Sequence, residues 1–286
     1  MINTIDKDVK LKELEYLGYT KLGKIDVKLL SKLKMETTDL VKITQKKYPK
    51  GELFNLINAD VETKLISNDI VRRYLNASLE NWLDKSIVDI YPVSHIIKPF
   101  GLKSSIWHQD SAIVDENIHF SLNAWMPLVK SHRLNGCLWI FPGSHINKNF
   151  KRQFGFNPIK GSVLKLLKKY FVPINIEAGE VLLFHRNLIH GSSINFLPMK
   201  RVAIESVVVS KGAQLLNFHR DEKISKNKLL VYQVDQSHFL KNNPKEDFYN
   251  GNYPFFQMED ESISDISNNL LQSVPLFVNH AKQFYQ

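Results

Sequence analysis

Residues 179–209 read GEVLLFHRNLIHGSSINFLPMKRVAIESVVV. Two runs strong in Val, Leu, Ile and Phe, 179–184 and 201–209, flank a stretch of small and polar residues. Both have the length and the β-branched or aromatic character of strands. The texture recurs outward from there, in IVDIYPV (87–93), SSIWHQD (104–110), HFSLNAWMPLV (119–129) and GCLWIF (136–141). Turn residues punctuate the runs at Asn135-Gly136, Pro142-Gly143-Ser144 and Ala178-Gly179. Many short strands at this spacing predict a mainly β fold with flanking helices, its core over 87–210 a jelly roll or barrel.

The flanks read differently. Residues 16–23, YLGYTKLG, suggest a strand ending at Gly23, with Asp26 as N-cap of a helix that carries Val27, Leu29, Leu30, Leu33, Leu40 and Val41 at near-helical spacing. A second helix is predicted over about 68–83, with Ile70, Val71, Tyr74, Leu75 and Leu79 on one side and YPKGEL (48–53) as a loop before it. Residues 147–170 interrupt the β-rich core as a basic insertion with helical character. Beyond Ser210 the chain turns polar, rich in Lys and Asn, and ends in two candidate helices at 262–272 and 276–285. The expected organisation is one domain: 1–86 strand and helices, 87–210 core, 211–286 an extension that serves as lid, packing element or dimer contact.

With 43% hydrophobic residues in 286 there is ample material for a buried core. The start is charged, with no apolar stretch of signal-peptide type, and no run is long enough to span a membrane. A soluble, cytoplasmic protein is expected. Cys137 is the only cysteine, so an internal disulfide is impossible and any metal site must use His and carboxylate. The net charge of +9 invites a nucleic-acid reading. Its lysines are scattered in ones and twos without a sustained basic run, which points to a solvated surface favouring an anionic small substrate.

The chemistry concentrates in three places. His108 and Asp110 lie at i and i+2 near the end of a β-like run, where both side chains can share a face and offer an imidazole nitrogen and a carboxylate oxygen to one point. His-x-Asp alone equally fits a surface strand with a hydrogen-bonded histidine. His190, after the run at 181–189, supplies a third ligand type, and two histidines with one carboxylate suit non-haem iron(II) with open coordination positions. Arg201 opens the next run. If 181–190 and 201–209 are antiparallel neighbours, its planar fork can sit beside the metal and grip a carboxylate.

Taken together, WHQD at 107–110, NAWMPL at 123–128, NGCLWIFPGSH at 135–145 and HGSSIN at 190–195 with Arg201 resemble the phytanoyl-CoA dioxygenase family of 2-oxoglutarate oxygenases. The resemblance spans 87–210, and GYTKLG with the helix after it is similar to the family's opening. It implies a double-stranded β-helix (jelly roll, cupin-like) core, Fe(2+) held by His108, Asp110 and His190, and 2-oxoglutarate as co-substrate. Arg201 and Ser192 would bind its 5-carboxylate and Trp125 would line its pocket. Asn123, sharing a strand face with Trp125, and His95, thirteen residues before His108, are further candidates, each with a structural hydrogen bond as the alternative reading. The NGCL-PGSH segment reads as turns that shape the fold, and His119, His132, His145 and His185 are not assigned to iron. Leu197 and its apolar neighbours depart from the family's more polar loop.

The implied reaction consumes dioxygen and oxidises a small-molecule substrate, releasing succinate and CO2. A carboxylate at position 110 favours hydroxylation over halogenation, since related halogenases vacate that position for halide. Two rivals remain open: a same-fold oxygenase acting on nucleic acid or protein, and a jelly roll that binds without catalysis.

Overall fold

The computed structural model describes residues 4–48, 56–101, 107–147, 151–153, 159, 161–220, 228–241, 255–260 and 266–285. Its centre is a five-stranded antiparallel sheet in the order β1-β6-β3-β8-β2, formed by β1 (Tyr19–Lys24), β2 (Val88–Lys98), β3 (Ser121–Pro127), β6 (Glu180–His185) and β8 (Arg201–Ser210). Facing it is a short sheet in the order β5-β4-β7, made of β4 (Leu138–Ile140), β5 (Val172–Pro173) and β7 (His190–Ser192). The strands predicted at 87–93, 119–129, 136–141, 179–184 and 201–209 are all present, in the jelly-roll arrangement expected of them.

Alternation along the strands sorts the two layers. Leu122, Ala124 and Met126 of β3, with Ile204 and Val208 of β8, pack outward against helices, whereas Trp125 and Ala203 face inward to Leu138, Ile140, Leu182, Phe184 and Leu188. The outer layer is α2 (Val27–Lys47) and α3 (Val61–Val71), the latter running on through a π-turn to α4 (Ala77–Leu79). Asp26 caps α2 by accepting from the N–H groups of Lys28 and Leu29. Buried Leu30, Leu33, Thr37, Leu40 and Thr44 form the stripe of α2 that meets the sheet. The second helix starts earlier than its apolar spacing suggested, at Val61, because Asp60 caps it by accepting from Thr63. Of the predicted loop 48–53, residues 49–53 lie outside the described residues.

His95 belongs to this helical layer. Its Nε2 lies 3.1 Å from Thr37 Oγ1 and its Nδ1 2.8 Å from Ser67 Oγ, and the ring is fully buried. It tethers β2 to α2 and α3.

The insertion after β4 contains α5 (Gly161–Leu167), whose Val163 and Leu167 share a core with Phe141, Phe171 and Ile189 and with Leu270, Val274 and Phe277 of α7 (Ile266–Lys282). Where two C-terminal helices were expected on either side of Pro275, a single helix runs through it. The buried face of Leu270, Val274 and Phe277 continues across the proline, so tertiary packing carries the helix past a local breaker. The polar stretch after Ser210 conceals a second feature: a three-stranded sheet of β9 (Leu215–Arg220), β10 (Lys228–Val234) and β11 (Phe255–Asp260), followed by α7 after α6 (Gln236–Lys241) in the intervening chain. It packs Leu215, Leu216 and Phe218 against Ala112, Ile113, Val114, Val207 and Val209. The N-terminal α1 (Thr4–Lys12) continues into a π-turn at Glu13–Leu17. No helix among the described residues is long and apolar enough to cross a membrane.

Gly143 sets how closely α7 approaches. Its φ is +81°, and a Cβ there would overlap the main-chain oxygen of Phe277. Gly143→Ala is expected to cost about 2 kcal/mol or more from overpacking plus a left-handed alanine. Thermal or urea unfolding measures the cost, and limited proteolysis should show earlier cutting around 266–285.

Candidate active site

The two histidines of the candidate triad are joined through their main chains. His108 N–H donates to His190 O and His190 N–H to His108 O, both at 2.9 Å, an antiparallel bridge that extends the short sheet by one residue. Such a reciprocally bonded pair places both side chains on one face, and the rings lie 4.5 Å apart. Asp110, two residues on, returns to the same side, with Oδ1 3.4 Å from His108 Nε2 and Oδ2 3.7 Å from His190 Nε2. One ligand atom from each of the three lies within 4.8 Å of the others, the only such group among the described residues that could hold a metal ion. Gln109 points the other way and donates to Asn187 O. The run at 104–106 that was expected to carry the pair lies outside the described residues; the observed support is the bridge to β7.

His190 Nδ1 lies 2.9 Å from Leu188 O, so Nδ1 carries the proton and the lone pair of Nε2 faces the other ligands. Burial holds this imidazole down at about 4 against the pull of Asp110, leaving it neutral at pH 7 as a metal ligand requires. Burial also acts to raise the Asp110 carboxyl, but His190, the hydrogen bond from His108 and the charge of Arg186 together hold it well below the usual carboxylate range. The side chain of His108 is 34% exposed and that of His190 8%, so the site opens on the His108 side.

The turn Pro142-Gly143-Ser144 has a role here. Ser144 Oγ accepts from Ile189 N–H at 2.9 Å and donates to Phe141 O at 2.7 Å, and so fixes the residue before His190.

Ser192, two residues after His190 on β7, leads to a second cluster. Its Oγ accepts from Lys98 Nζ at 2.8 Å, and Lys98 pairs in register with Arg201 across β2 and β8. The Arg201 guanidinium stacks over the Trp125 ring, 5.1 Å from its centroid. Arg201 is 2% exposed, and its Nε and Nη1 have no hydrogen-bond partner among the described residues. Burial lowers the guanidinium to about 10, and burial with the charge of Arg201 lowers Lys98 to about 8. A buried fork with idle donors beside a buried ammonium fits an incoming carboxylate. Gly136, with φ +81°, makes room for it: a Cβ there would lie 2.6 Å from Lys98 Cδ and Cε.

Of the residues singled out from sequence, the structure thus gathers His108, Asp110 and His190 at one point and Arg201, Ser192 and Trp125 beside it. Asn123 reaches the site through Asp110, donating its Nδ2 to Oδ2. His95 is on the opposite face of the sheet, away from both clusters, because residues 95 and 97 of β2 turn to the helices while Ile96 and Lys98 turn inward. The supposed adjacency of 181–190 and 201–209 is also corrected: β3 lies between β6 and β8, and His190 belongs to the facing sheet. Arg201 reaches the site across the gap between sheets rather than along one. Lys98, Arg186 and Glu205 were missed. Lys98 had a legible signal, a lysine two residues beyond inward-facing Ile96 in a strand. Glu205, inward on β8 opposite Trp125, is pushed above the usual carboxyl range by burial and by the charge of Asp110. His119, His132, His145 and His185 take no part in the triad.

The family model for phytanoyl-CoA dioxygenase (PhyH) matches residues 43–196, more than half of the chain. The chain belongs to the phytanoyl-CoA dioxygenase family. Within this family it is 31% identical over 120 residues to phytanoyl-CoA dioxygenase 1 of Oryza sativa subsp. japonica, covering 40% of this chain and 42% of the rice protein. To the phytanoyl-CoA dioxygenase of Arabidopsis thaliana it is 34% identical over 125 residues, covering 42% and 44%. The match thus spans less than half the length of either relative. Among solved structures, the epimerase SnoN, in complex with Fe3+, alpha ketoglutarate and nogalamycin RO, superposes with TM-score 0.55 at 17% identity over 74% of this chain and 87% of its own. The non-haem monooxygenase ThoJ in its nickel complex gives TM-score 0.53 at 13% identity over 97% and 98%. These likenesses are of fold.

A placement of His95 in the helical layer has a direct consequence. His95→Leu is expected to lower stability by about 1–3 kcal/mol, because the Thr37 and Ser67 hydroxyls lose their buried partner, and to leave 2-oxoglutarate affinity within twofold. Denaturant titration and ligand titration on the same variant separate the two effects.

Proposed function

We propose that this phytanoyl-CoA dioxygenase family member is an iron(II)- and 2-oxoglutarate-dependent oxygenase that hydroxylates a small-molecule substrate, with His108, Asp110 and His190 as the metal ligands. The observation that carries the reading is the buried Arg201 fork with Nε and Nη1 idle, linked through Lys98 to Ser192 and so to the strand that bears His190. An orphaned buried guanidinium is costly unless a ligand answers it, and a carboxylate is the group its geometry suits.

When bound, the iron and 2-oxoglutarate supply activation of dioxygen, with the co-substrate oxidised to succinate and CO2. The chain's own contribution is positional. The two imidazoles and Asp110 bring their ligand atoms to one point and would hold the iron there. Arg201 and Lys98 would neutralise the carboxylate of 2-oxoglutarate far from the metal, with Ser192 as a further polar group beside them. The Trp125 ring under the guanidinium would shield a pair between Arg201 and the bound carboxylate from water and so strengthen it. Substrate approaches from the exposed His108 side, where Glu205 offers a polar group on the inward wall. A carboxylate at position 110 favours oxygen insertion over halide transfer.

The test is reconstitution of the purified chain with Fe(II) and 2-oxoglutarate under air, reading succinate formation with and without candidate substrates. His108→Ala and Asp110→Ala should abolish it while circular dichroism is unchanged; full activity in either variant contradicts the ligand assignment. Arg201→Ala should weaken 2-oxoglutarate binding by about 2 kcal/mol or more, on the order of 30-fold.

A pH dependence follows from Lys98. Its ammonium is charged below about 8 and neutral above it, so 2-oxoglutarate affinity should be flat up to about pH 8 and fall beyond it, by up to about tenfold per pH unit. Isothermal titration across pH 7 to about 9.5 reads this, and the slope should vanish in Lys98→Met. Persistence of the slope in that variant would assign the titration to another group.

A further inference from the structure

The side chain that ties the triad to its surroundings most extensively is not one of its ligands. Arg186 follows β6 directly, in the turn leading to His190, and is 8% exposed. Its Nη1 donates to Asn123 Oδ1 at 2.5 Å, its Nε to Ser111 O at 3.1 Å and its Nη2 to Ser111 Oγ at 3.3 Å. Its main chain takes part as well: Arg186 O accepts from Asp110 N–H at 2.9 Å, and Arg186 N–H donates to Ser121 O at 3.1 Å. One residue therefore binds the segment 110–111, the start of β3 and the approach to His190.

The consequence lies in the orientation of Asn123. A guanidinium has only donors, so the atom of Asn123 that meets it must be the carbonyl Oδ1. The amide is then locked with Nδ2 toward Asp110 Oδ2, which accepts from it. Asn123 is fully buried, and no water is needed to satisfy either end. Without Arg186 the amide is free to turn over, which would set Oδ1 against the carboxylate and repel it. The hydrogen bond from Nδ2 also occupies part of the Oδ2 charge, leaving the carboxylate with fewer lone pairs for the metal and a fixed plane.

We propose that Arg186 is a positioning residue that acts through Asn123 to orient the Asp110 carboxylate for metal binding. The proposal rests on the reading of His108, Asp110 and His190 as ligands. Partners of metal ligands contribute about 10- to 100-fold in metal affinity, and effects of two residues acting through one route are not additive.

The experiment is a Co(II) titration of the full chain at low temperature, well below unfolding, following the d–d spectrum in wild type, His190→Ala, Arg186→Met, Asn123→Leu and the double variant. Wild type should bind one Co(II), His190→Ala should not, and Arg186→Met and Asn123→Leu should each bind about tenfold or more weakly with an altered spectrum. The double variant should lose clearly less than the sum of the two single losses. Should Arg186→Met fail to fold, Arg186→Lys, which keeps the buried charge but not the fork, takes its place in the cycle. Wild-type affinity and spectrum in the Arg186 variant, or additive losses in the double variant, overturns the proposal. Failure of wild type to bind, or retention of binding in His190→Ala, instead overturns the ligand assignment on which it rests.

Discussion

The architecture of this chain turns on two hydrogen bonds, those exchanged between the main chains of His108 and His190. They join a segment far from β7 in sequence to the short sheet and, because they form one antiparallel ring, leave the two imidazoles on a common face. Everything nearby serves to hold that ring in register. Ser144 fixes Ile189, Gln109 anchors the 186–187 turn, and Arg186 draws Asp110 back toward the same point. A one-residue slip at this bridge would turn His190 away from its partners, so the precision of the site is a matter of backbone register before it is one of side-chain chemistry.

Around that ring the charges are separated in space. Asp110 and Glu205 stand on one side with the Arg186 guanidinium between segments, while Lys98 and Arg201 are buried together on the other. Burial lowers both groups, and the charge of Arg201 lowers Lys98 further, so holding two cations there without an anion is costly. On the proposed reading, a carboxylate of 2-oxoglutarate would offset that cost. Gly136 clears the space for the Lys98 stem, and Asn195 secures the position of the pair by donating to Lys98 O at 3.0 Å and Met199 O at 2.8 Å.

Much of this was legible from the residues alone. The strand runs were evident because β-branched and aromatic residues concentrate in 87–209, and the grouping of His108, Asp110 and His190 because they lie in the motifs that carry the family resemblance. Relations that depend on which strands are neighbours were not legible. Arg201 was set beside His190 on the condition of a hairpin, whereas β3 lies between β6 and β8 and the contact that crosses between the sheets is that of Lys98 with Ser192. His95 was placed by its distance from His108 in sequence, yet strand alternation turns it to Thr37 and Ser67. The C-terminal sheet was hidden because its buried residues, such as Leu216, Phe218 and Leu229, lie in short runs inside polar, lysine-rich sequence. The continuity of α7 through Pro275 was hidden because a helix whose face is held by tertiary contacts can outlast a local breaker.

The central claim is that the triad and the Arg201 pocket together form one iron and 2-oxoglutarate site. The most direct measurement is anaerobic titration of the metal-free chain with Fe(II) and then 2-oxoglutarate, watching for the weak visible metal-to-ligand charge-transfer band of the chelate. The account predicts a band that requires both components, saturates at one equivalent of each, and disappears in His190→Ala. Iron retained without any band on adding 2-oxoglutarate, or a band undiminished in His190→Ala, would contradict it.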